Sequence, residues 1–201
     1  MARRTLGITG PPGAGKTTYA ERLVAEAQVP AAYLPMDGFH LADVALRRLG
    51  LLDRKGAPET FDALGYAALL ARVRTARETV WAPGFERDLE QPLAGAIAIE
   101  PGTELVVTEG NYLLLDRPEW RAVRAELDEV WFLDVEEAVR RPRLVARHTA
   151  YGKTPAEAEA WVARVDDVNA DLILATRSRA DRVVDPDEAD STTRPGPRFG
   201  V

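Results

Sequence analysis

Gly10-Pro11-Pro12-Gly13-Ala14-Gly15-Lys16-Thr17 is a complete phosphate-binding loop of the form G-x-x-x-x-G-K-[ST]. Glycines let the backbone curl around an anion, so that a ring of N–H groups faces it. Lys16 adds a mobile positive charge near the β- and γ-phosphates, and the Thr17 hydroxyl is a ligand for Mg²⁺. The flanks supply the required setting. Residues 5–9 read as a short buried strand and residues 17–25 as a helix, whose positive N-terminal end adds to the attraction for phosphate. Gly10, Gly13, Ala14, Gly15, Lys16, Thr17 and Thr18 are therefore the expected phosphate and metal cradle. A glycine-rich turn without a ligand is the competing reading, and the strand–loop–helix context outweighs it.

Outward from the loop, short apolar runs alternate with helical patterns. Strands are expected at 31–36, 79–82, 96–100, 105–108, 130–133 and 182–184. Helices are expected at 41–49, closed by Gly50, at 62–77, capped by Asp62, and at 118–127, 136–151 and 155–176. Pro83-Gly84 is expected to turn the chain, and the 96–100 strand is either a hairpin or an edge insertion. Strands separated by helices imply an α/β fold, a parallel sheet with helices on both faces. The whole pattern fits a P-loop NTP hydrolase domain over residues 1–185, with a small helical lid at about 136–165, and a Pro- and Gly-rich, poorly ordered tail at 186–201.

The chain of 201 residues is long enough for one domain with a real core. A net charge of −6 and the lack of any basic block argue against nucleic acid as the partner. The absence of Cys removes disulfides, thiolate catalysis and Cys-based zinc sites, and fits a cytoplasmic protein. Met1-Ala2-Arg3-Arg4 has the charge of a leader start, but no long apolar region follows it, and no run is long enough to span a membrane.

Ligands of open parallel sheets gather at the carboxyl ends of the strands, so polar residues there stand out. Asp37 can take a proton from an attacking hydroxyl or help to hold Mg²⁺, against the plainer role of a turn aspartate. Glu109 follows four apolar residues, as a metal-supporting acid does at the end of such a strand, with a turn or capping acid as its alternative. Asp134 is expected to be the N-cap of the following helix. Arg143 and Arg147 are four apart and share a helical face, which is either a solvated basic face or one that closes over the phosphates. His40 and His148 lack metal-ligand spacing and are expected to pack or hydrogen-bond.

These residues together resemble the phosphoribulokinase, uridine kinase and type I pantothenate kinase group of P-loop kinases, over most of the chain from Gly10 to about Asp185. Met36-Asp37-Gly38-Phe39 is similar to the strand-end motif whose Asp is the catalytic base there. Arg54-Lys55-Gly56-Ala57-Pro58-Glu59 resembles an acceptor-side loop of pantothenate kinases. Pro83-Gly84-Phe85-Glu86-Arg87 occupies the place of the family's Pro-x-aromatic-acidic segment, and Glu109-Gly110-Asn111-Tyr112 is similar to its Glu-Gly. Arg143 and Arg147 fall where the lid arginines lie. Within the group the chain most resembles the small bacterial members labelled nucleoside or nucleotide kinase-like, or fructose kinase-like.

The resemblance implies an ATP- and Mg²⁺-dependent kinase acting on a hydroxyl of a small metabolite that is pantothenate-, nucleoside- or sugar-like. It implies Lys16, Asp37, Arg143 and Arg147 as catalytic residues, and Thr17 and Glu109 at the metal. Asp37, Arg54, Lys55, Tyr66, Phe85, Arg87 and Tyr112 are the candidates at the acceptor, where the aromatic ones can equally be core. The expected partner is the small acceptor, without nucleic acid or membrane, and a homodimer is the other assembly to consider. A P-loop NTPase, or a nucleotide-binding regulatory protein without an acceptor, is the reading from a different class.

Overall fold

The computed structural model describes residues 3–186, so all but one residue of the expected tail lies outside the described residues. Five strands form one parallel sheet: β1 (Arg4–Thr9), β2 (Ala31–Pro35), β5 (Leu105–Glu109), β6 (Glu129–Leu133) and β7 (Arg182–Val184). Their order is β2-β5-β1-β6-β7. All five residues of β5 are buried, which demands cover on both faces of the sheet. Successive side chains of a strand point to opposite faces. Leu105 and Val107 accordingly join Leu6, Ile8 and Trp131 under Tyr19 and Ala20 of helix α1 (Lys16–Ala25). Val106 joins Leu34, Val130 and Phe132 under α3 (Ala63–Thr75) and α4 (Pro118–Ala125), through Tyr66, Leu70, Val73, Trp120 and Val123.

The register of the sheet builds the functional edge. Glu109 of β5 lies opposite Ile8 of β1 on one side and Pro35 of β2 on the other. Ile8 is two residues before Gly10, and Pro35 is two residues before Asp37. Three strand ends therefore deliver the phosphate loop, Glu109 and Asp37 to one place. After Pro35 the chain makes a single 3₁₀ turn, Met36–Phe39, before α2 (Asp43–Leu49), which Gly50 closes at φ +68°.

Two expectations are corrected. Pro83-Gly84 is not a turn but part of strand β3 (Val80–Glu86), which pairs antiparallel with β4 (Gln91–Ile99). The register slips between Ala82 and Gly84, and such a bulge tolerates a proline that has no N–H to give the ladder. The 96–100 segment is thus the far end of a hairpin rather than an edge of the main sheet. The single helix expected over 155–176 is instead α6 (Pro155–Trp161), a π-helical segment Val162–Asp166, and α7 (Asp167–Leu174). Its start is firm, because Thr154 and Glu157 form a capping box. The preceding helix, α5 (Glu137–Ala150), completes the lid region. Asp62 caps α3 as expected, accepting from the Gly65 N–H at 2.9 Å.

The β3–β4 hairpin packs against the Met36–Phe39 turn so closely that Gly38 has no room for a side chain. A Cβ there would strike the Pro83 carbonyl, meeting its carbon at 2.7 Å. Gly38→Ala is expected to lower stability by about 1–3 kcal/mol, in the range of overpacking against backbone. Thermal unfolding of the variant beside Gly102→Ala, where a Cβ meets nothing within 4 Å, is the measurement.

Candidate active site

The phosphate loop is held open by its glycines. Gly13 and Gly15 adopt φ +81° and +80°, values that an L side chain resists. The Ala14 N–H reaches back to the Pro11 carbonyl at 3.1 Å, closing a turn ahead of α1. Lys16 folds over the loop and donates to the Gly10 and Pro11 carbonyls at 2.9 and 3.1 Å. Its burial lowers the ammonium from the usual 10.5 to about 8, against the upward pull of Glu109 and Asp37.

Glu109 is the buried acid of the site. Thr17 Oγ1 donates to its Oε1 at 3.3 Å, and the Tyr33 hydroxyl donates to the same oxygen at 2.9 Å. Burial pushes the Glu109 carboxyl up, and the negative charge of Asp37 pushes it further, while Lys16 and the two hydroxyls pull the other way. A hydroxyl and a carboxylate oxygen side by side, next to a loop of inward N–H groups, are the hard oxygen donors that suit Mg²⁺ with a nucleotide phosphate. Residues Thr17 and Glu109 therefore fit that ion by the chemistry of their donors.

Asp37 stands at the turn after β2. Arg87 of the β3–β4 connection donates from Nη2 to its Oδ2 at 3.0 Å, and His40 Nε2 lies 3.8 Å from Oδ1. His40 is stacked between Phe61 and Phe85, with ring centroids 4.0 and 5.1 Å away. Burial lowers His40 from 6.5 to about 4, so the ring is neutral at pH 7. The expectation of a packing histidine holds in this geometry.

The remaining acceptor-side candidates separate into two groups. Lys55, Phe85 and Arg87 gather beside Asp37, with Lys55 Nζ 5.9 Å and the Arg87 guanidinium 5.3 Å from the Phe85 ring centre. Arg54 is exposed and paired with Glu59. Tyr66 and Tyr112 belong to the core, the alternative already weighed for them. Tyr66 is fully buried and shares a hydrogen bond with Thr108 Oγ1. Tyr112 is equally buried, packs on Phe61 and Trp120, and donates to the Gly56 carbonyl at 2.5 Å. A groove of about 540 Å³ runs behind Asp37 between α3 and the hairpin, lined by Gly38, His40, Asp62, Arg72 and Pro83 among others.

The lid helices meet the phosphate loop through a residue that sequence reasoning missed. Arg140, 4% exposed, donates toward the Pro12 carbonyl at 3.5 Å, and its own carbonyl lies where a Gly13 Cβ would be, 2.7 Å away. Arg147 lies farther along the same helix, its Nη2 4.0 Å from Asp166 Oδ1, and its charge is felt at Lys16. Arg143 is exposed. His148 Nε2 bonds to Asp166 Oδ2 at 2.8 Å, and the π segment is what turns Asp166 inward. Asp134 is not a helix cap: its carboxylate binds Arg177, Nε at 2.9 Å and Nη2 at 2.7 Å, and α5 begins at Glu137 after an N-cap residue, Glu136, that makes no side-chain cap. Tyr33, also missed, sits in a strand of ordinary apolar pattern, where a tyrosine reads as packing.

A P-loop cradle, a buried acid between two strand ends and a helical lid on a parallel sheet define a P-loop kinase. The phosphoribulokinase / uridine kinase family model matches residues 5–189, and the chain belongs to that family. A crystal structure from Silicibacter sp. TM1040, of a protein provisionally named a fructose transport system kinase, superposes with a TM-score of 0.85 at 40% identity, covering 91% of this chain and 90% of that one. The ATP-dependent kinase-like protein notR' of Aspergillus versicolor is 38% identical over 152 residues, 71% of this chain and 88% of its own length. The uncharacterized protein YggC of Escherichia coli K12 is 35% identical over 191 residues, 92% of this chain and 79% of its own length. Among the described residues no helix is long and apolar enough to cross a membrane.

The lowered Lys16 predicts a proton linkage. Its folded value, about 8, lies below the unfolded 10.5, so the unfolded state binds more protons between these limits and the ligand-free protein gains stability as pH rises through them. A bound polyphosphate favours the charged ammonium and reverses the shift. Nucleotide binding at pH 8.5 is expected to take up about 0.7 proton. Calorimetric titration in buffers of different ionisation enthalpy reads this number, and Lys16→Ala is expected to abolish the uptake.

Proposed function

We propose that the protein transfers the γ-phosphoryl group of ATP to a hydroxyl of a small metabolite, with Asp37 as the general base. The observation that carries this reading is the convergence of Asp37, Glu109 and Lys16: all three charges interact at the ends of adjacent strands, directly beside the phosphate loop. A hydrolytic NTPase does not call for a second carboxylate with its own cationic surroundings on the acceptor side. The loop amides and Lys16 hold the phosphates. Thr17 and Glu109 hold Mg²⁺, which when bound supplies positive charge to the phosphate oxygens. Tyr33 fixes the Glu109 oxygen that Thr17 also touches.

In the transfer, the acceptor oxygen forms a bond to the γ-phosphorus while the bridging oxygen leaves with ADP, and the acceptor proton passes to an Asp37 oxygen. Lys55, Phe85 and Arg87 border the acceptor, and Arg54 stands at its outer edge. Arg147 and Arg143, on the lid helix, close toward the moving phosphoryl group and add charge where it develops. A small acceptor, not a nucleic acid, is the partner this reading assigns, and the net charge of −6 supports it. The cysteine-free composition supports a cytoplasmic setting.

The test is ATP consumption with and without pooled small alcohols, sugars, hydroxy acids and nucleosides. Strong dependence on an acceptor supports a kinase, and equal rates without one sink the proposal. In that assay Asp37→Asn is expected to lose about 10²–10⁴-fold in turnover while still binding ATP. A loss below about threefold reduces Asp37 to a turn residue.

The lid arginines yield a separable expectation. Arg147→Ala or Arg143→Ala should lower turnover far more than it weakens ATP affinity, because the contact strengthens as charge moves. Lysine should rescue only in part, lacking the planar fork. Steady-state turnover set beside equilibrium ATP binding decides it, and full activity of both alanine variants would reduce the pair to a solvated face.

A further inference from the structure

The base proposed for the reaction is covered. Arg87, between β3 and β4, sits with Nη2 3.0 Å from Asp37 Oδ2, while the neutral ring of His40 faces Oδ1 at 3.8 Å. Each oxygen that could receive the acceptor's proton already has a group in front of it. The two covers differ in kind. His40 is locked between Phe61 and Phe85 and 11% exposed at its side chain, whereas the Arg87 side chain is 49% exposed and lies over the outer edge of the site. An ion pair so open to water is weakly held and exchanges partners readily. Of the two, Arg87 is the one that can leave.

Where Arg87 can go is set by its surroundings. Its guanidinium lies 5.3 Å from the centre of the Phe85 ring, and Lys55 Nζ approaches the same ring at 5.9 Å. Lys55 is tied down, bonded to Asp43 Oδ1 at 2.8 Å and to the Glu90 carbonyl. Phe85 therefore carries one fixed cation and one movable cation. An acceptor that displaced Arg87 from Asp37 and offered nothing in return would forfeit a charge-assisted hydrogen bond. One that offered two coplanar oxygens would replace that bond with a two-pronged one, for which a guanidinium is shaped.

We infer that the acceptor carries an anionic group, a carboxylate or a phosphate, close to the hydroxyl it presents, and that Arg87 changes partner from Asp37 to this group as the acceptor binds. The inference rests on Asp37 as base. It makes the acceptor its own key: the anion draws Arg87 away, Asp37 Oδ2 turns free toward the hydroxyl, and the proton moves to it as the oxygen–phosphorus bond forms and ADP departs. The anionic group itself is unchanged by the reaction. Without an acceptor, Arg87 stays on Oδ2 and denies it to water, which restrains idle hydrolysis of ATP.

Three acceptor pools at equal concentration test this with the full chain and Mg·ATP: hydroxycarboxylic acids, sugar phosphates, and uncharged sugars and nucleosides. One of the two anionic pools is expected to support turnover at least about tenfold above the uncharged pool, and which one responds identifies the anion. For that pool, Arg87→Gln should raise KM about 10–100-fold, the range for losing a hydrogen bond to a charged group, with ATP affinity unchanged and acceptor-independent hydrolysis increased. Arg87→Lys should recover part of the KM. Binding is read separately from turnover by the rise in melting temperature that each pool gives with a non-hydrolysable ATP analogue. Preference for the uncharged pool in either readout, or a KM within about twofold of the parent in Arg87→Gln, overturns the inference and leaves the kinase reading standing. Equal ATP consumption with every pool and with none, unaltered by Asp37→Asn, overturns both.

Discussion

Everything at the functional edge depends on the parallel register of β2, β5 and β1. Because Glu109 is level with Ile8 and with Pro35, the two residues that follow each of those positions bring the phosphate loop and Asp37 to either side of a single carboxylate. A slip of one residue in β5 would turn Glu109 to the opposite face and take it from Thr17 and Tyr33. The slip is prevented by burial, since Val106 and Val107 serve two different cores and cannot exchange them. The hydrophobic pattern of β5 is thus also the device that positions its acid. The Gly110 N–H, bonded to the Ile8 carbonyl at 3.0 Å, and Thr9 Oγ1, bonded to the Asn111 carbonyl at 3.1 Å, carry the alignment past the strand end.

That alignment gathers charge in a poorly solvated place. Lys16 is held below its usual range and Glu109 above its own, and the dominant cause is burial in both cases. Each shift measures the cost of keeping a charge where water is scarce, and each is of the sign that a ligand of phosphates and a divalent cation would undo. The same logic does not extend to His40. Its two aromatic neighbours make the neutral ring the stable form, and a ring that stays neutral through the physiological range is a fixed wall rather than a proton carrier. Asp37, with its side chain 28% exposed beside Arg87, is less deeply enclosed than Glu109.

Much of this was legible from the chain because the signals were local. The glycines and Lys-Thr of the loop, the apolar run before Glu109 and the cap at Asp62 each need only neighbours in sequence to be read. What escaped depends on distant partners. Arg3 reads as part of a charged start, yet it is buried, donating to carbonyls of Val73, Glu100, Pro101 and Thr103 and stitching β1 to the end of α3. Asp134 has the setting of a cap, but Arg177 lies across the gap and wins its carboxylate. Arg140 is indistinguishable in sequence from Arg143, being only a different position on a helix whose rotation is decided by packing. Pro83-Gly84 is an ordinary turn pair by composition, and only the opposing strand converts it into a bulge. Tyr33 shows the limit most directly, since nothing before or after it foretells that Glu109 stands 2.9 Å from its hydroxyl.

Helix α5 packs on the phosphate loop, and the β3–β4 hairpin packs on the turn that carries Asp37. On one side, the Arg140 backbone fits against Gly13 so tightly that a single methyl group would collide. On the other, Pro83 fits against Gly38 with equal economy, next to Asp37. Close-packed contacts of this kind transmit displacement rather than absorb it. The π segment differs: it spends a regular hydrogen-bond pattern to turn Asp166 toward His148 and Arg147. Irregularity is therefore concentrated in the helices beyond α5, while the Gly13 contact seats α5 on the phosphate loop and the Gly38 contact seats the hairpin on the turn that carries Asp37. This division explains why the two glycines cannot be exchanged for residues with better intrinsic propensity. Their value lies in the separation they permit between two pieces of backbone, and the site's geometry is set by that separation.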